Sequence, residues 1–339
     1  MRSQPYPAHN HSPLANHPPP GDTSPMTEFE LIQQCFSSWP VTNPALMLDQ
    51  GDDCLIWQTP QPLAISIDTA VEGRHFPEWA SGAQAAQRAF LPALSDLAAM
   101  GATPAFFTLA LTLPSPLNET WLMDFSARLQ QLASDHQMVL AGGDTTSGPV
   151  PVISIQVHGT VQQPLKRSAA IAGDDVWISG YTGLAAAAIQ ALLQDRHTDI
   201  PDAWQQAYWQ PQPRIALGQA LVGKAHAAID ISDGLWADLA HIARASQVHI
   251  ELEAERLPMH ASLEGLPQSE ALKLILTGGD DYELAFTAAE EQRDAISLLS
   301  QQLGLPLTRI GQARAGDAEV SVMHNGKPMT LDHQGFEHF

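Results

Sequence analysis

Cysteine is close to absent: Cys35 and Cys54 are the 2 in 339 residues. No Cys-x-x-Cys or comparable ligand spacing exists, which removes the usual basis for a zinc site. So few thiols suit a reduced, cytoplasmic chain better than an exported, disulfide-stapled one. Positive charge is scarce too, with 16 Lys and Arg against 37 Asp and Glu and a formal net charge of −21. Nucleic acids and anionic membranes are bound through basic surface, so neither is an expected partner. No apolar run reaches membrane-spanning length, and no secretory pattern opens the chain. An anionic nucleotide stays admissible where metal ions and a few placed cations neutralise it. Apolar residues are present in ordinary measure, 44% of a chain long enough for two domains with their own cores.

The acidic residues are not spread evenly. Short strings stand at wide intervals: Gly51-Asp52-Asp53, Ser66-Ile67-Asp68-Thr69, Ser95-Asp96, Gly142-Gly143-Asp144-Thr145-Thr146, Asp230-Ile231-Ser232-Asp233-Gly234 and Gly278-Gly279-Asp280-Asp281-Tyr282-Glu283. Most follow a strand-like or apolar run, which places the carboxylates where strands or helices begin and end. Several carboxylates converging on one point repel, and a hard divalent cation relieves that repulsion. Mg²⁺ takes oxygen ligands together with substrate phosphates. The pattern therefore reads as a metal-dependent phosphoryl-transfer site.

Residues 1–25 are rich in Pro, His, Asn and Ser and nearly devoid of large apolar side chains, the composition of a disordered tail. A folded unit is expected from Met26, with a helix opening near Thr27. Strands are expected at 63–67, 106–113, 152–161, 176–179 and 227–231, and helices at 83–100, 121–133, 184–193, 214–223 and 235–245. Residues 195–213 read as an irregular connection. The alternation predicts an α/β protein with mixed sheets in two domains, 26–165 and 166–339.

Taken singly, each motif has an ordinary alternative. Gly-Asp marks common turns, and Asp233 is placed to cap a helix starting near Leu235. Asp96 sits inside an apolar helix, where Asp is a poor interior residue and a buried charge needs a partner. His75 is either a surface imidazole or a contact for a substrate phosphate or hydroxyl. Arg167 is either a solvated charge or, given how few cations exist, a phosphate ligand. The Gly180-Tyr181-Thr182-Gly183 turn could hold an anion or serve as a left-handed turn. Gly218 to Lys224 imitates P-loop spacing, but Ala225 stands where a Mg²⁺-binding Ser or Thr belongs, and the run continues a helical pattern.

In this order, the strings resemble the thiamine-monophosphate kinase family, within the superfamily of aminoimidazole ribonucleotide synthetase and selenophosphate synthetase. The resemblance runs from Met26 to Phe339. It includes Glu28-Phe29-Glu30-Leu31-Ile32, the stretch from Leu94 to Ala102, the Gly-Gly-Asp strings and Gly335-Phe336-Glu337-His338-Phe339. It implies an enzyme of thiamine biosynthesis that transfers phosphate directly, in line, from ATP to thiamine phosphate. Several Mg²⁺ ions are implied, with K⁺ as a further candidate. Asp53, Ser66, Ile67, Asp68, Asp96, Asp144, Asp230 and Asp233 would hold metal, Ile67 through its backbone carbonyl, and Asp68, Asp96 and Asp233 would be central to catalysis. Gly143, Asp144, Arg167 and Ser232 would bind ATP. His75, Asp280 and Phe336 would contact thiamine phosphate, Asp280 standing where Glu is common. A homodimer paired through the N-terminal domains is also implied.

Two relatives and one different class compete. Selenophosphate synthetase needs a reactive Cys followed by Lys near its start, and Cys35 lacks that setting. The hydrogenase-maturation relative needs a terminal Cys, whereas this chain ends Phe-Glu-His-Phe. A non-catalytic cation-binding protein needs ligands crowded in one loop, as in an EF-hand, and no such spacing occurs.

Overall fold

The computed structural model describes residues 34–36, 39, 43–48, 56–194 and 199–330. The 1–25 tail, the helix expected near Thr27, Asp53 and Phe336 lie outside the described residues.

A four-stranded sheet comes first, from β3 (Leu63–Val71), β4 (Thr103–Leu113), β5 (Val139–Ser147) and β6 (Val152–Thr160), in the order β3-β6-β4-β5. β6 runs antiparallel to both neighbours, and β4 and β5 are parallel. A short pair, β1 (Leu46–Leu48) and β2 (Ile56–Trp57), precedes it. Helices α1 (Gly82–Ala99) and α2 (Glu119–Asp135) close one face, burying Phe90, Leu94 and Leu97 with Phe107, Ile153 and Ile155. Their starts are written locally. Ser81 and Gln84 form a reciprocal capping box on α1, and the Asn118 side chain accepts from Trp121 N on α2. The opposite face of the sheet leaves Ile65 and Ile67 57% and 60% exposed.

The second sheet has seven strands: β7 (Asp175–Ser179), β8 (Ala227–Asp230), β9 (His249–Glu253), β10 (Leu284–Ala288), β11 (Leu307–Arg314), β12 (Val320–His324) and β13 (Lys327–Pro328), in the order β13-β12-β9-β11-β7-β10-β8. It is covered on both faces. Helices α3 (Leu184–Leu193), α6 (Leu235–Ser246) and α7 (Gln268–Thr277) pack on Val176, Ile178 and Ile229. On the other face, α5 (Ile215–Leu221) and α8 (Arg293–Leu303) pack on Trp177, Ala228 and Phe286. The C-terminal end of α1 enters this second core through Ala98 and Ala99. One helix thus belongs to both halves of the molecule.

The observed elements depart from expectation in three places. Asp68 lies inside β3, not at its end, and the Gly142 to Thr146 string is itself β5, not a turn. Gly143 explains the second case. A Cβ there would stand 2.0 Å from the Leu109 carbonyl oxygen, so glycine permits the close approach of β5 to β4. Third, residues expected to be irregular contain helix α4 (Asp202–Trp209), which buries Trp204, Tyr208 and Trp209. Its apolar spacing is helical, but eight residues between prolines are too few for the period to stand out. The P-loop imitation starts inside helix α5, as its pattern suggested, and ends in a turn at 222–224, with Gly218 there for packing. A Cβ on it would meet the Ala98 carbonyl oxygen of α1 at 2.0 Å.

Candidate active site

Strand alternation puts Ser66 and Asp68 on the helix-covered face of β3, where α1 brings up Asp96. The Ser66 hydroxyl donates a very short hydrogen bond to Asp96 Oδ2. Burial, then the nearby Asp96 charge, pushes the Asp68 carboxyl up to about 6. Asp230 ends β8, in the second sheet, and also feels Asp96. It is 4% exposed, and burial followed by the Asp96 charge raises it to about 7, with Arg167 pulling the other way. Carboxylates from β3, α1 and β8 thus crowd one region between the two sheets, with the cation of Arg167 near its edge.

The loop from β8 to α6 supplies Ser232 and Asp233. A residue not singled out from the sequence, Asp238, holds this loop. Its Oδ2 accepts from the backbone N–H groups of Ser232, Asp233 and Gly234 at 3.0, 3.0 and 3.1 Å. The side chain reaches back from the first turn of α6 and satisfies donors that would otherwise be orphaned. Gly234 makes the turn possible with φ 127°. Burial nonetheless raises Asp238 to about 7, against the three N–H groups.

Asp280 joins this loop from below, its N–H donating to the Ser232 carbonyl at 2.9 Å. It sits at φ 67°, and its Oδ1 is held by Tyr282 OH at 2.8 Å and Arg88 Nη2 at 2.9 Å. Tyr282 is pushed far above the ordinary tyrosine range, by burial and by Asp280, with a smaller push from Asp68. The Asp280 loop therefore borders the aspartate cluster. His75 lies on the same side and is half-buried, not a surface residue: its Nδ1 accepts from Val71 N at 3.0 Å.

The remaining expected residues are not joined to this group. The Ile67 side chain points to the uncovered face of β3, so its backbone carbonyl is what it can offer. Asp144 is exposed on β5, in register with Ala110, Ser154 and Thr69, the row beside Asp68 that faces the other way. Gly143 neighbours it and is accounted for by packing. Among the described residues, no three His, Cys, Asp or Glu side chains already stand in metal-ligating geometry. The Asp68, Asp96 and Asp230 donor set still fits Mg²⁺. It is all oxygen, partly buried and self-repelling, the condition a divalent cation relieves.

The Gly180 to Gly183 turn is left-handed at both glycines, with φ 53° and 90°, and the anion at its N–H groups belongs to the chain itself. Asp281 Oδ2 accepts from Gly183 N at 2.6 Å and its Oδ1 from Ala185 N at 3.4 Å, at the start of α3. Glu283 is held by Arg214 and Ser179. The Asp280-Asp281-Tyr282-Glu283 string thus does several jobs, and its alternate residues are structural. Arg88 and Tyr208 were also invisible beforehand. A lone Arg in an Ala-rich helix signals burial only once its acceptors are known.

The AIR synthase related protein families match both halves of the chain, the N-terminal domain over residues 51–161 and the C-terminal domain over 171–324. This defines the class: a two-domain AIR synthase related architecture of mixed α/β sheets, as expected. The thiamine-monophosphate kinase of Escherichia coli (strain K12) is 42% identical over 322 residues, 92% of this chain and 98% of that protein. The crystal structure of thiamine-monophosphate kinase from Stenotrophomonas maltophilia K279a superposes with a TM-score of 0.78 at 40% identity, covering 84% of this chain and 93% of that one. AaThiL complexed with AMPPCP and TMP gives 0.74 at 27% identity, covering 92% and 97%. The chain belongs to the thiamine-monophosphate kinase family and is a kinase.

Proposed function

We propose that the chain transfers the γ-phosphoryl group of ATP in line to thiamine phosphate, giving thiamine diphosphate and ADP in a site whose aspartates hold Mg²⁺. The observation that carries the metal part is the crowding of Asp68, Asp96 and Asp230 from three elements, with burial and mutual charge raising Asp68 to about 6 and Asp230 to about 7. The substrate pair is supported by the family and by the related AaThiL complex with AMPPCP and TMP.

Asp68, Asp96, Asp230 and Asp233 are the proposed ligands, with Ser66 and the Ile67 carbonyl beside them and Asp53 as a further one; Asp144, on the opposite face of the sheet, is a ligand only of a separate ion. Bound Mg²⁺ would neutralise the facing phosphates and the charge developing on the transferred group. Ser66 orients Asp96 through its hydroxyl. Arg167 and Ser232 bind ATP, with Gly143 and Asp144, and the Asp238-held loop keeps Ser232 and Asp233 in place. His75, Asp280 and Phe336 bind the acceptor. Its phosphate oxygen forms the new P–O bond as the bond from γ-phosphorus to the β–γ bridging oxygen breaks. That oxygen is largely ionised near neutral pH, so no general base is required. The cationic thiazolium suits the acidic site and an aromatic such as Phe336. The units 26–165 and 166–339 form the two walls, and we place the enzyme in the cytoplasm as a homodimer. Ile65 and Ile67, exposed on the uncovered face of the first sheet, support that pairing.

Purified protein given Mg·ATP and thiamine phosphate is expected to release thiamine diphosphate and ADP in equal amounts, resolved by chromatography. Asp96→Asn should cut turnover at least about a hundredfold while leaving the circular dichroism unchanged. ATP consumption with no thiamine diphosphate would end this reading.

A further inference from the structure

Among the described residues, Arg88 is the one Lys or Arg that is buried, with 4% of its surface exposed. Helix α1 carries it two turns before Asp96, facing the second half of the molecule. Its guanidinium meets three segments. Nε donates to the His75 carbonyl at 3.4 Å, and Nη1 donates to the Tyr208 carbonyl at 3.1 Å. Nη2 pairs with Asp280 Oδ1 at 2.9 Å, and the plane stacks on the Tyr208 ring, 4.4 Å from its centroid. Tyr208 OH returns to the His75 carbonyl at 3.2 Å. Burial works against the cation, and the Asp280 charge and hydrogen bond, together with Tyr282 and Tyr208, more than offset it.

Two things follow from this geometry. The described residues taken to contact the acceptor, His75 and Asp280, come from different halves of the chain, and one guanidinium holds both. The same group fixes the ring of Tyr208, which with Trp79, Trp209, Gln84 and Gln205 borders a cavity of about 360 Å³. Arg is suited to this, because its planar fork offers donors in several directions at once, and Lys offers one point charge. Asp280 lies at a left-handed φ of 67°, a conformation that its neighbours must enforce on a non-glycine residue.

We infer that Arg88 is a positioning residue for acceptor binding: it locks His75 and Asp280 at a set separation across the two halves of the site, leaving the ATP side to other groups. This rests on the proposed acceptor role of His75 and Asp280. It makes Arg88 a determinant of affinity for the phosphorylated acceptor, though the guanidinium touches no reacting atom.

Steady-state kinetics on full-length Arg88→Gln separates this role from general damage. KM for thiamine phosphate is expected to rise at least tenfold, with KM for ATP within twofold of wild type. Direct titration of Mg·AMPPCP checks that the nucleotide side is intact. Arg88→Lys keeps a buried charge but cannot bind both carbonyls and Asp280 in one plane, so its KM for thiamine phosphate should fall between the two. A folded Arg88→Gln with both KM values unmoved, or with both raised equally, overturns the inference. If Arg88→Gln does not fold, Arg88→Lys decides: a selective rise of threefold or more supports the role, and a wild-type KM overturns it. Wild-type protein that makes no thiamine diphosphate removes the functional reading and this inference together. Wild-type that does, with an unmoved Arg88→Gln, removes the inference alone.

Discussion

Asp68 and Asp230 hold their protons more tightly in the folded chain than an exposed aspartate does, and this has a consequence for stability. A carboxyl raised from 3.8 to about 6 adds stability that is complete below the unfolded value and is lost as pH rises through about 6. For Asp230 and Asp238 the loss continues through about 7. The metal-free protein should therefore melt lower at pH 8 than at pH 5.5; Asp175, which its arginine partners hold below 3.8, has the opposite slope only at more acid pH and is constant over this window. Asp68→Asn should abolish turnover yet stabilise the metal-free fold at pH 8 by about 1–2 kcal/mol, scaled down for partial exposure. Calorimetry in chelator at both pH values reads this directly. Equal pH slopes in mutant and wild type would rule out Asp68 as a strained carboxyl. On the proposed function such a residue is tuned for a bound metal, and the chain gives up stability to keep it. Its identity was legible in the sequence because Asp after an apolar run is unusual. Asp238 was not, since an Asp in a first helical turn is commonplace until its oxygen is seen to gather three N–H groups.

At the scale of the element, α1 carries the most. It contributes Arg88 to the proposed acceptor side and Asp96 to the proposed metal side, and its last turn enters the second core. A rigid rod eighteen residues long holds both groups in one register. Its contact with α5 depends on Gly218. Replacing it with Ala gains about 1 kcal/mol of helix propensity, but the new Cβ meets backbone at 2.0 Å, which cannot move aside. Gly218→Ala should lose up to about 2 kcal/mol net, since overpacking costs about 1–3 kcal/mol and a clash with backbone falls at the upper end. A denaturant midpoint equal to or above wild type would show that α1 and α5 are not so tightly apposed. Long, strongly periodic helices such as α1 were legible within a residue or two. β5 was not, because its glycines argue for a turn and only the neighbouring strand explains them. α4 was missed because Trp204, Tyr208 and Trp209 lie within eight residues between prolines.

For the whole molecule, the open face of the first sheet is the feature still to be accounted for. Ile65 and Ile67 stand in the row opposite the helices, on edge strand β3. Pairing with a second copy would cover both side chains and the unpaired strand edge. Light scattering should give twice the chain mass, and Ile65→Lys should weaken the dimer at least about tenfold while the monomer keeps its circular dichroism. A monomeric wild type at micromolar concentration would remove the dimer from the proposal. The sequence by itself determined the class of chemistry and the alternation of elements, because charge, glycine placement and apolar period are written residue by residue. Only the tertiary structure decided which carboxylates meet, which serve the chain's own backbone, and that buried Arg88 bridges His75 and Asp280. Those are relations between distant segments, set by how helices and sheets pack, and no local pattern encodes them.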